Sequence, residues 1–353
     1  MNAMSRRRFT ATVLGAAVLG TLADGCGSDG DPSGGEPKAS SNVPRGTVNV
    51  LAYSGDGTTL LAGDDVGEVF SWDPASHAAA SRRQVTEYPQ AVHPSVGAIA
   101  VAADGSFLVA ARMLEIWNAA DLTRTAMLWS PQDGALRPAP PSWVGADSEG
   151  LRYSTAAAVS PDGTTVVDGL YGGTVRIWDR RSGRQAAELP GGTDLGLVND
   201  VAFSYDGNRV AAAFAAPTGG VPQGATLIWD LASRRKIGSL DEASDGVLFR
   251  PDGGLCASTV QGVMFLDPSG AAQGAPFASS PRAVALSFDG AILALGNGPD
   301  AERIELWDVG AHRRIRAFKV SGSVTALAFA QSGRMLAVGT ADGTMQEWDV
   351  STG

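Results

Sequence analysis

The sequence predicts an all-β fold made of seven copies of one four-stranded unit. Glycine is abundant at 45 residues and charged residues make up only 18%, a balance typical of strands and turns rather than helices. An aromatic or apolar residue followed by an acid or its amide recurs at Trp72-Asp73, Trp117-Asn118, Trp178-Asp179, Trp229-Asp230, Leu266-Asp267, Trp307-Asp308 and Trp348-Asp349. These closing pairs alternate with tight turns at Asp56-Gly57, Asp104-Gly105, Asp162-Gly163, Asp206-Gly207, Asp252-Gly253, Asp289-Gly290 and Ser332-Gly333. Internal repetition of this kind outweighs any local signal.

Each repeat contains an apolar run, a turn, a second apolar run and a third strand that ends at the closing pair. Asp or Ser followed by Gly supplies the positive φ that a tight connection between antiparallel strands requires. The runs 324–329 and 335–338 are short and apolar on both faces. Strands of this type must be covered on both sides, which indicates sheets stacked against neighbouring sheets.

Two segments carry a family resemblance. Ser160-Pro-Asp-Gly163 and Val175-Arg-Ile-Trp-Asp179, within units of about forty residues, resemble the Trp-Asp repeat family of β-propellers over roughly residues 38–353. The resemblance implies a seven-bladed β-propeller of four-stranded antiparallel blades. It also implies structural roles for the six closing tryptophans, which would fill the grooves between blades, and for Asp162, Asp206 and Asp252 in the turns.

The repeats depart from the family pattern at one position. The family often places a Gly-His pair before the first strand, whereas this chain has only His77, His93 and His312, and only His93 lies near the expected place. We therefore expect apolar packing and strand ladders to hold the blades together. Blade five, with Leu266 in place of Trp, is expected to be the weakest, and Cys256 in a strand interior is expected to be an inert core thiol.

The first 25 residues are predicted to be an export signal. Arg6 and Arg7 precede an apolar run that is too short to span a bilayer, which resembles a twin-arginine signal; an ordinary secretory signal is the alternative. Cys26 follows at a position that resembles a lipobox, so it is either a lipidation site or a spare thiol. Residues 26–37 lack the apolar side chains needed for a core and are expected to form a flexible tether.

The propeller is predicted to be closed by its N-terminal segment. After Trp348 only five residues remain, too few for a turn and an outer strand. Residues 38–43 are expected to supply the missing fourth strand of the last blade, which would remove an exposed edge and tie the two ends of the chain together.

Composition and motifs favour a binding module over an enzyme. The formal net charge of −10 makes nucleic acid an unlikely main partner. No metalloprotease, phosphate-loop, nucleophile-elbow or zinc motif is present, so we expect no catalytic residue, metal or cofactor. The prediction is a non-catalytic, monomeric scaffold of the bacterial cell envelope that binds a protein or peptide and touches the membrane only through a lipidated N-terminus. It would be exported, either to the outer face of the cytoplasmic membrane as a lipoprotein or to the periplasm or extracellular space. The alternatives are a lactonase-like or quinone-cofactor propeller enzyme with a site in the central channel, and a purely structural envelope protein.

Topology indicates where a partner would bind. With strands a to d in each blade, the a–b and c–d turns lie at one end of the ring, here called the turn face, and the b–c turns and d–a links lie at the other, the link face. The longest insertions, 130–153 and 215–224, fall on the link face. The candidate partner-binding residues there are Trp129, Arg137, Trp143, Arg152, Tyr153 and Tyr171. Alternatively, Trp143 and nearby prolines only cover the channel mouth. The basic clusters that follow the closing pairs are expected to be solvated.

Overall fold

The computed structural model describes strands and turns, with no helix in the described part of the chain. That part comprises residues 8–9, 36–41, 44–73, 75–76, 81–85, 95–111, 113–129, 154–170, 172–190, 195–215, 224–277, 281–296 and 302–351. Two short strands, β1 (Arg8–Phe9) and β2 (Ala39–Ser41), precede the first blade.

Seven antiparallel sheets of four blade strands follow the repeats of the sequence, in the order a to d. Blade 1 contains β3 (Val48–Tyr53), β4 (Leu60–Asp64), β5 (Glu68–Trp72) and β6 (Ser81–Gln84), and blade 2 contains β7 (Ala98–Val101), β8 (Ser106–Ala111), β9 (Met113–Asn118) and β10 (Arg124–Trp129). Blade 3 contains β11 (Ser154–Val159), β12 (Thr165–Leu170), β13 (Val175–Asp179) and β14 (Arg184–Leu189), and blade 4 contains β15 (Leu197–Phe203), β16 (Arg209–Ala215), β17 (Ala225–Asp230) and β18 (Arg235–Leu240). Blade 5 contains β19 (Ser244–Phe249), β20 (Leu255–Thr259), β21 (Gly262–Leu266) and β22 (Ala272–Phe277), and blade 6 contains β23 (Ala283–Leu286), β24 (Ile292–Gly296), β25 (Arg303–Asp308) and β26 (Arg313–Lys319). Blade 7 contains β27 (Val324–Phe329), β28 (Met335–Thr340) and β29 (Met345–Asp349), with β2 as its outer strand. The fold is the predicted seven-bladed β-propeller.

The N-terminal segment closes the ring as expected. Strand β2 pairs antiparallel with β29, Ala39 opposite Glu347 and Ser41 opposite Met345. The Lys38 ammonium also forms an ion pair with the Asp349 carboxylate. The observed strand is shorter than the predicted segment 38–43, of which residues 42–43 lie outside the described part. Inside the ring, β1 lies against the channel side of blade 6 and pairs in parallel with Ala283 and Val284.

Neighbouring blades fit together through a glycine and a valine. A methyl group added at Gly169, in strand b of blade 3, would overlap the Val198 side chain at the start of blade 4. The same overlap occurs at the three pairs Gly63 with Val96, Gly296 with Val324, and Gly339 with Val48. Where the strand-b position is alanine, at Ala110 and Ala213, the equivalent residue of the next blade is the smaller Ser154 or Ser244. The two positions therefore compensate for each other in volume.

A second inter-blade contact comes from β-bulges in the inner strands. Five inner strands carry a bulge at their link-face end, at Asn49, Thr155, Asn199, Asp245 and Thr325. Four of these side chains donate a hydrogen bond to a backbone carbonyl of the next blade: Thr325 to Val48 at 2.6 Å, Asn49 to Val96 at 3.4 Å, Thr155 to Val198 at 2.6 Å and Asn199 to Ser244 at 3.1 Å. Polar side chains therefore bridge the blades in addition to the apolar packing and strand ladders that were expected to be the main contacts.

The closing tryptophans pack as predicted, with one difference. Five of them, Trp72, Trp117, Trp178, Trp229 and Trp348, are buried, whereas Trp307 is only partly buried. Several indole N–H groups donate to a side chain two residues earlier, as Trp117 does to Glu115 and Trp307 to Glu305, both at 3.1 Å. The tryptophans therefore form part of the core while their polar edge remains hydrogen-bonded.

Blade 5 compensates for its missing tryptophan with other aromatic rings. Phe277 packs edge-on against Phe265 at 4.9 Å and against Trp307 of blade 6 at 5.9 Å, and its ring stacks on His312 at 3.7 Å. Cys256 is fully buried in the same region, and burial raises the pKa of its thiol to about 12, in agreement with an inert core thiol.

The expectation that the basic clusters are solvated is wrong for Arg180. Its guanidinium donates to the Asp104 carboxylate of blade 2 at 2.7 Å and to the Gly163 carbonyl at 3.0 Å, and only 16% of its side chain is exposed. Arg180 sits one residue after a closing pair, where the turn brings it over the neighbouring blade. It therefore connects blades 2 and 3 at the turn face.

The glycine–valine fit predicts that Gly169→Ala is destabilising, by about 1–3 kcal/mol, because the added methyl overpacks the junction. Val198→Ser in the same chain should relieve that overlap, as the alanine–serine junctions do. The double variant should then be more stable than the sum of the single changes, with a coupling of about 0.5–3 kcal/mol. Urea denaturation measures all four proteins. Gly55→Ala is the control, since its nearest neighbour would lie at 3.7 Å. Strict additivity of the two changes would contradict the proposed fit.

Candidate functional site

The turn face is made of connections that satisfy their own polar groups. In blade 3 the Ser160 hydroxyl donates to Asp162 at 2.5 Å, and the backbone N–H of Thr164 donates to the same carboxylate at 3.0 Å. The N–H of Thr165 in turn donates to the Ser160 hydroxyl at 2.9 Å. The Ser160 hydrogen bond, followed by that of Thr164, holds the pKa of Asp162 below its usual value. These turns are therefore closed units with their polar groups already paired.

Asp206 and Asp252 fill the same structural place as Asp162, as the repeat predicted. Asp206 accepts from the Ser204 hydroxyl and from the Asn208 N–H at 3.0 Å, and Asp252 accepts from the Gly254 N–H at 2.9 Å. Hydrogen bonding by Ser204 lowers the pKa of Asp206. Both carboxylates therefore accept hydrogen bonds from within their own turns.

The link face differs, because it holds buried polar atoms that have no hydrogen-bond partner. Within the described residues, six side chains carry such an atom: Asp64, Glu68, Ser154, Glu242, Ser258 and Arg282. All six lie at the link-face ends of their strands or in the adjoining links. Buried polar groups in folded proteins are nearly always paired, and the exceptions tend to mark sites where a ligand or partner completes the bonding.

The junction between blades 5 and 6 departs most from the repeat. Arg282 takes the position that the bulge residue holds in five other blades, and Ser258 takes the strand-b position that is elsewhere glycine or alanine. The Ser258 side chain is fully buried and its hydroxyl is unpaired, while the Arg282 Nε is buried and unpaired. Among the described residues, the Arg282 guanidinium donates to the Ser323 hydroxyl, at 3.4 Å. This junction therefore holds buried polar atoms that have no partner in the described part of the chain.

Acidic side chains surround the same part of the rim. Asp245 takes the bulge position, where the side chains of four other blades donate a hydrogen bond to the next blade. An ionised carboxylate can only accept hydrogen bonds, so Asp245 cannot make that contact when ionised. Glu242, in the link before blade 5, has a buried oxygen without a partner. Val260, in the b–c turn of blade 5, is 64% exposed and is the most exposed large apolar residue in the described ranges. The rim of blades 5 and 6 therefore combines a cation, carboxylates and an apolar side chain.

A second group lies at the b–c turn of blade 1. One oxygen of Asp64 accepts the backbone N–H groups of Val66 and Glu68, at 3.1 and 2.8 Å, while the other oxygen is buried and unpaired. Burial, with repulsion from Glu68 and Asp65, raises the pKa of Asp64. The turn thus concentrates negative charge at the link face.

Asp200 lies in a buried position between blades 4 and 5. One carboxylate oxygen accepts the Val247 N–H of the next inner strand at 3.0 Å, and the other accepts the Val201 N–H at 2.9 Å. Complete burial raises the pKa of Asp200 to about 8, against the lowering effect of the two N–H groups.

The predicted partner-binding residues lie almost entirely outside the described part of the chain. Trp129 forms the last residue of β10, opposite Leu114, which places its backbone at the start of the long 130–153 link. Arg137, Trp143, Arg152, Tyr153 and Tyr171 lie outside the described residues, as do Arg6, Arg7 and Cys26. Their roles stay predictions. The described strands do confirm that the links holding these residues belong to the link face.

Two features are absent from the residues that the structure describes. No group of three or more His, Cys, Asp or Glu there is placed to hold a metal ion. No helix of sufficient length and apolarity to cross a bilayer occurs in those same ranges.

Comparison with known proteins agrees with the geometry. Residues 153–179 and 313–349 match the family described as WD domain, G-beta repeat. These matches support a WD-repeat propeller. A relative from Arabidopsis thaliana, pre-mRNA-processing factor 19 homolog 2, is 29% identical over 170 residues, which cover 47% of this chain and 28% of that protein. The similarity thus spans less than a third of the relative.

Sequence reasoning missed the unsatisfied residues of the link face. Asp64, Glu68, Glu242 and Ser258 are ordinary surface or strand residues when read along the chain. A comparison of the seven repeats position by position could have singled out Arg282, since a long cation stands where the other blades carry Asn, Gly, Thr or Asp. The bulges themselves have no residue signature.

The raised pKa of Asp200 predicts a stability that depends on pH. A carboxyl whose pKa is higher in the folded than in the unfolded protein makes its full contribution to stability below about pH 4. For Asp200 this contribution is lost as the pH rises toward about 8. The stability of Asp200→Asn relative to the wild type should therefore increase from pH 5 to pH 9. Melting temperatures of both proteins across this pH range measure the change. Asp162→Asn is the control with the opposite sign. The pKa of Asp162 is lowered in the folded protein, so its contribution to stability is present above the pKa of the unfolded chain and is lost in acid. Parallel curves for wild type and Asp200→Asn would contradict the assignment.

Proposed function

We propose that this propeller is a non-catalytic binding module that presents its link face to a protein or peptide. The observation that carries the proposal is the uneven distribution of unsatisfied buried polar atoms, which in the described residues all lie at that face. The turn face, by contrast, is closed by its own hydrogen bonds. A partner that supplies the missing donors and acceptors would gain binding energy only at the link face.

The charge of the link face defines the chemistry of the partner. Among the described residues, its acids are Asp64, Asp65, Glu68, Asp241, Glu242, Asp245, Glu302 and Asp342, against the bases Arg45, Arg282, Arg303 and Lys319. This excess of carboxylates favours a partner that carries lysine or arginine. Arg282, with Ser323 beside it, would take an acceptor such as a backbone carbonyl or a carboxylate.

The long links extend the same surface. The link from Trp129 to Ser154 and that from Ala215 to Gly224 join strands of blades 2, 3 and 4 at this face. We propose that Arg137, Trp143, Arg152, Tyr153 and Tyr171 contribute contacts there, since large aromatic and guanidinium groups dominate binding energy at protein interfaces.

Affinity capture tests the proposed face. A chain lacking residues 131–150 and a chain with Arg282→Thr, the residue that blades 3 and 7 carry at that position, should each retain a partner from envelope extract at least about tenfold less well than the wild type. Binding should also weaken with salt. Arg181→Gln, on the turn face, is the matched control and should behave like the wild type. Equal retention by all four proteins would contradict the assignment of the face.

We also propose that the chain is an exported lipoprotein of a bacterial envelope. The support is the Arg6-Arg7 pair, the apolar run after it, and Cys26 before the glycine- and serine-rich segment. Replacing both arginines by lysine should leave the protein in the cytoplasm, because the twin-arginine signal does not tolerate lysine at both positions. Cys26→Ser should release the exported protein from the membrane fraction. A Cys26→Ser protein that sediments with membranes as the wild type does would exclude lipid anchoring at this residue.

A further inference from the structure

Two outer strands of the propeller expose an isoleucine beside exposed basic side chains. Ile237 in blade 4 and Ile315 in blade 6 are each 44% exposed and, with Val260, are the exposed large hydrophobic residues of the described ranges. Arg235 and Lys236 precede the first isoleucine, and Arg313 and Arg314 precede the second. The same short motif thus recurs at the same place in two blades.

The position of both isoleucines is set by a bulge. In blade 4, Lys236 pairs with Trp229 and Gly238 with Ile228, so Ile237 is the extra residue and its side chain is exposed. Blade 6 repeats this arrangement, with Ile315 between paired residues Arg314 and Arg316. Outer strands commonly use bulges and charges to prevent edge-to-edge association, but neither device requires an isoleucine.

Other blades show that the bulge position does not demand an apolar residue. The equivalent residue is Thr125 in blade 2 and Ala186 in blade 3, both exposed. The isoleucines are therefore a feature of blades 4 and 6 rather than of the repeat.

The basic side chains of these strands are available for an external partner. Arg234, Arg235, Lys236 and Arg313 are exposed and form no ion pair with any part of the chain that the structure describes. Arg314 does contact Glu305, at 3.2 Å, with half of its side chain exposed. The chain has a net charge of −10, yet the outer strands of blades 4 and 6 each carry local positive charge.

We propose that the outer strands of blades 4 and 6 form a docking surface for an anionic lipid bilayer, with the arginines and lysine at the head groups and the two isoleucines inserted between them. Exposed aliphatic side chains flanked by basic residues are suited to the boundary between head groups and acyl chains. The two patches project from a convex wall on either side of blade 5, whose exposed outer-strand residues Ala272 to Ala275 carry no charge. Both patches begin at the turn-face end of their strands, so a bilayer lying across that end can contact both.

The chain enters the propeller from the same end as these patches. Lys38 begins the outer strand of blade 7 beside Asp349, and Arg235 and Arg313 lie beside the equivalent Asp230 and Asp308. The segment before residue 38 therefore leaves from the turn-face end, where the basic patches also begin. A membrane at that end leaves the link face free for its partner, and this docking does not depend on the proposed function of the link face.

Vesicle sedimentation tests the surface. The full chain carrying Cys26→Ser, so that no acyl chain contributes, is mixed with vesicles of phosphatidylglycerol and phosphatidylcholine in equal parts, or of phosphatidylcholine alone. Binding should be stronger with the anionic vesicles and should fall with salt. Arg235→Gln, Lys236→Gln and Arg313→Gln together should lower the partition coefficient by at least about tenfold, since each basic residue near the surface contributes about fivefold.

Two further variants separate this surface from general electrostatics. Ile237→Thr with Ile315→Thr, which copies the residue of blade 2, should lower anionic-vesicle binding about threefold at unchanged net charge. Arg181→Gln with Arg184→Gln in blade 3 removes basic charge from the turn-face end without an adjacent isoleucine and should have a smaller effect per charge. Equal losses per charge in blade 3 and in blades 4 and 6, or unchanged binding by the isoleucine variant, would overturn the proposal. Melting temperatures confirm that every variant is folded.

Discussion

The fit between neighbouring blades is the constraint on which the rest of the structure depends. A blade is apolar on both faces and cannot fold alone, so its stability comes from the contact with the next blade. At four junctions a glycine in strand b receives a valine of the following inner strand, and at four a bulge residue donates to a backbone carbonyl across the gap. Steric fit and hydrogen bonding thus act at the same place. Because the ring must close, a change at one junction is transmitted to the spacing of the others.

The repeat made the architecture predictable, but it concealed the contacts between blades. Closing pairs such as Trp178-Asp179 and turns such as Asp162-Gly163 mark strand ends by residue type, since only certain residues suit these positions. The bulge residues Thr155 and Asn199 carry no such mark, because a bulge is a property of backbone register. Arg180 looked like a solvated turn residue, and only the three-dimensional placement of Asp104 in the neighbouring blade shows its role.

The candidate site was predictable in its location but not in its residues. Strand order alone places the long links at one end of the ring, and the structure confirms that end. The polar atoms that distinguish it, on residues such as Ser258 and Arg282, become visible only when burial is known, because an unpaired hydroxyl has no sequence signature. Comparing a residue with its equivalents in the other repeats is therefore more informative than reading it against its neighbours along the chain.

The two ends of the ring differ, because the turn face contributes to stability and the link face is suited to recognition. Turn-face connections hold their own carboxylates in hydrogen bonds, so they need no partner and have little room to vary. The links at the other end adjoin strands whose contacts between blades are already fixed by Gly169, Val198 and their equivalents. A link such as 130–153 can therefore change in length and composition without weakening the ring. At the junction of blades 5 and 6, Ser258 takes the strand-b position and Arg282 the bulge position, and both carry a buried polar atom without a partner among the described residues. A fold that keeps a costly irregularity at one junction, and at the face that also carries its longest links, has the properties expected of a binding surface.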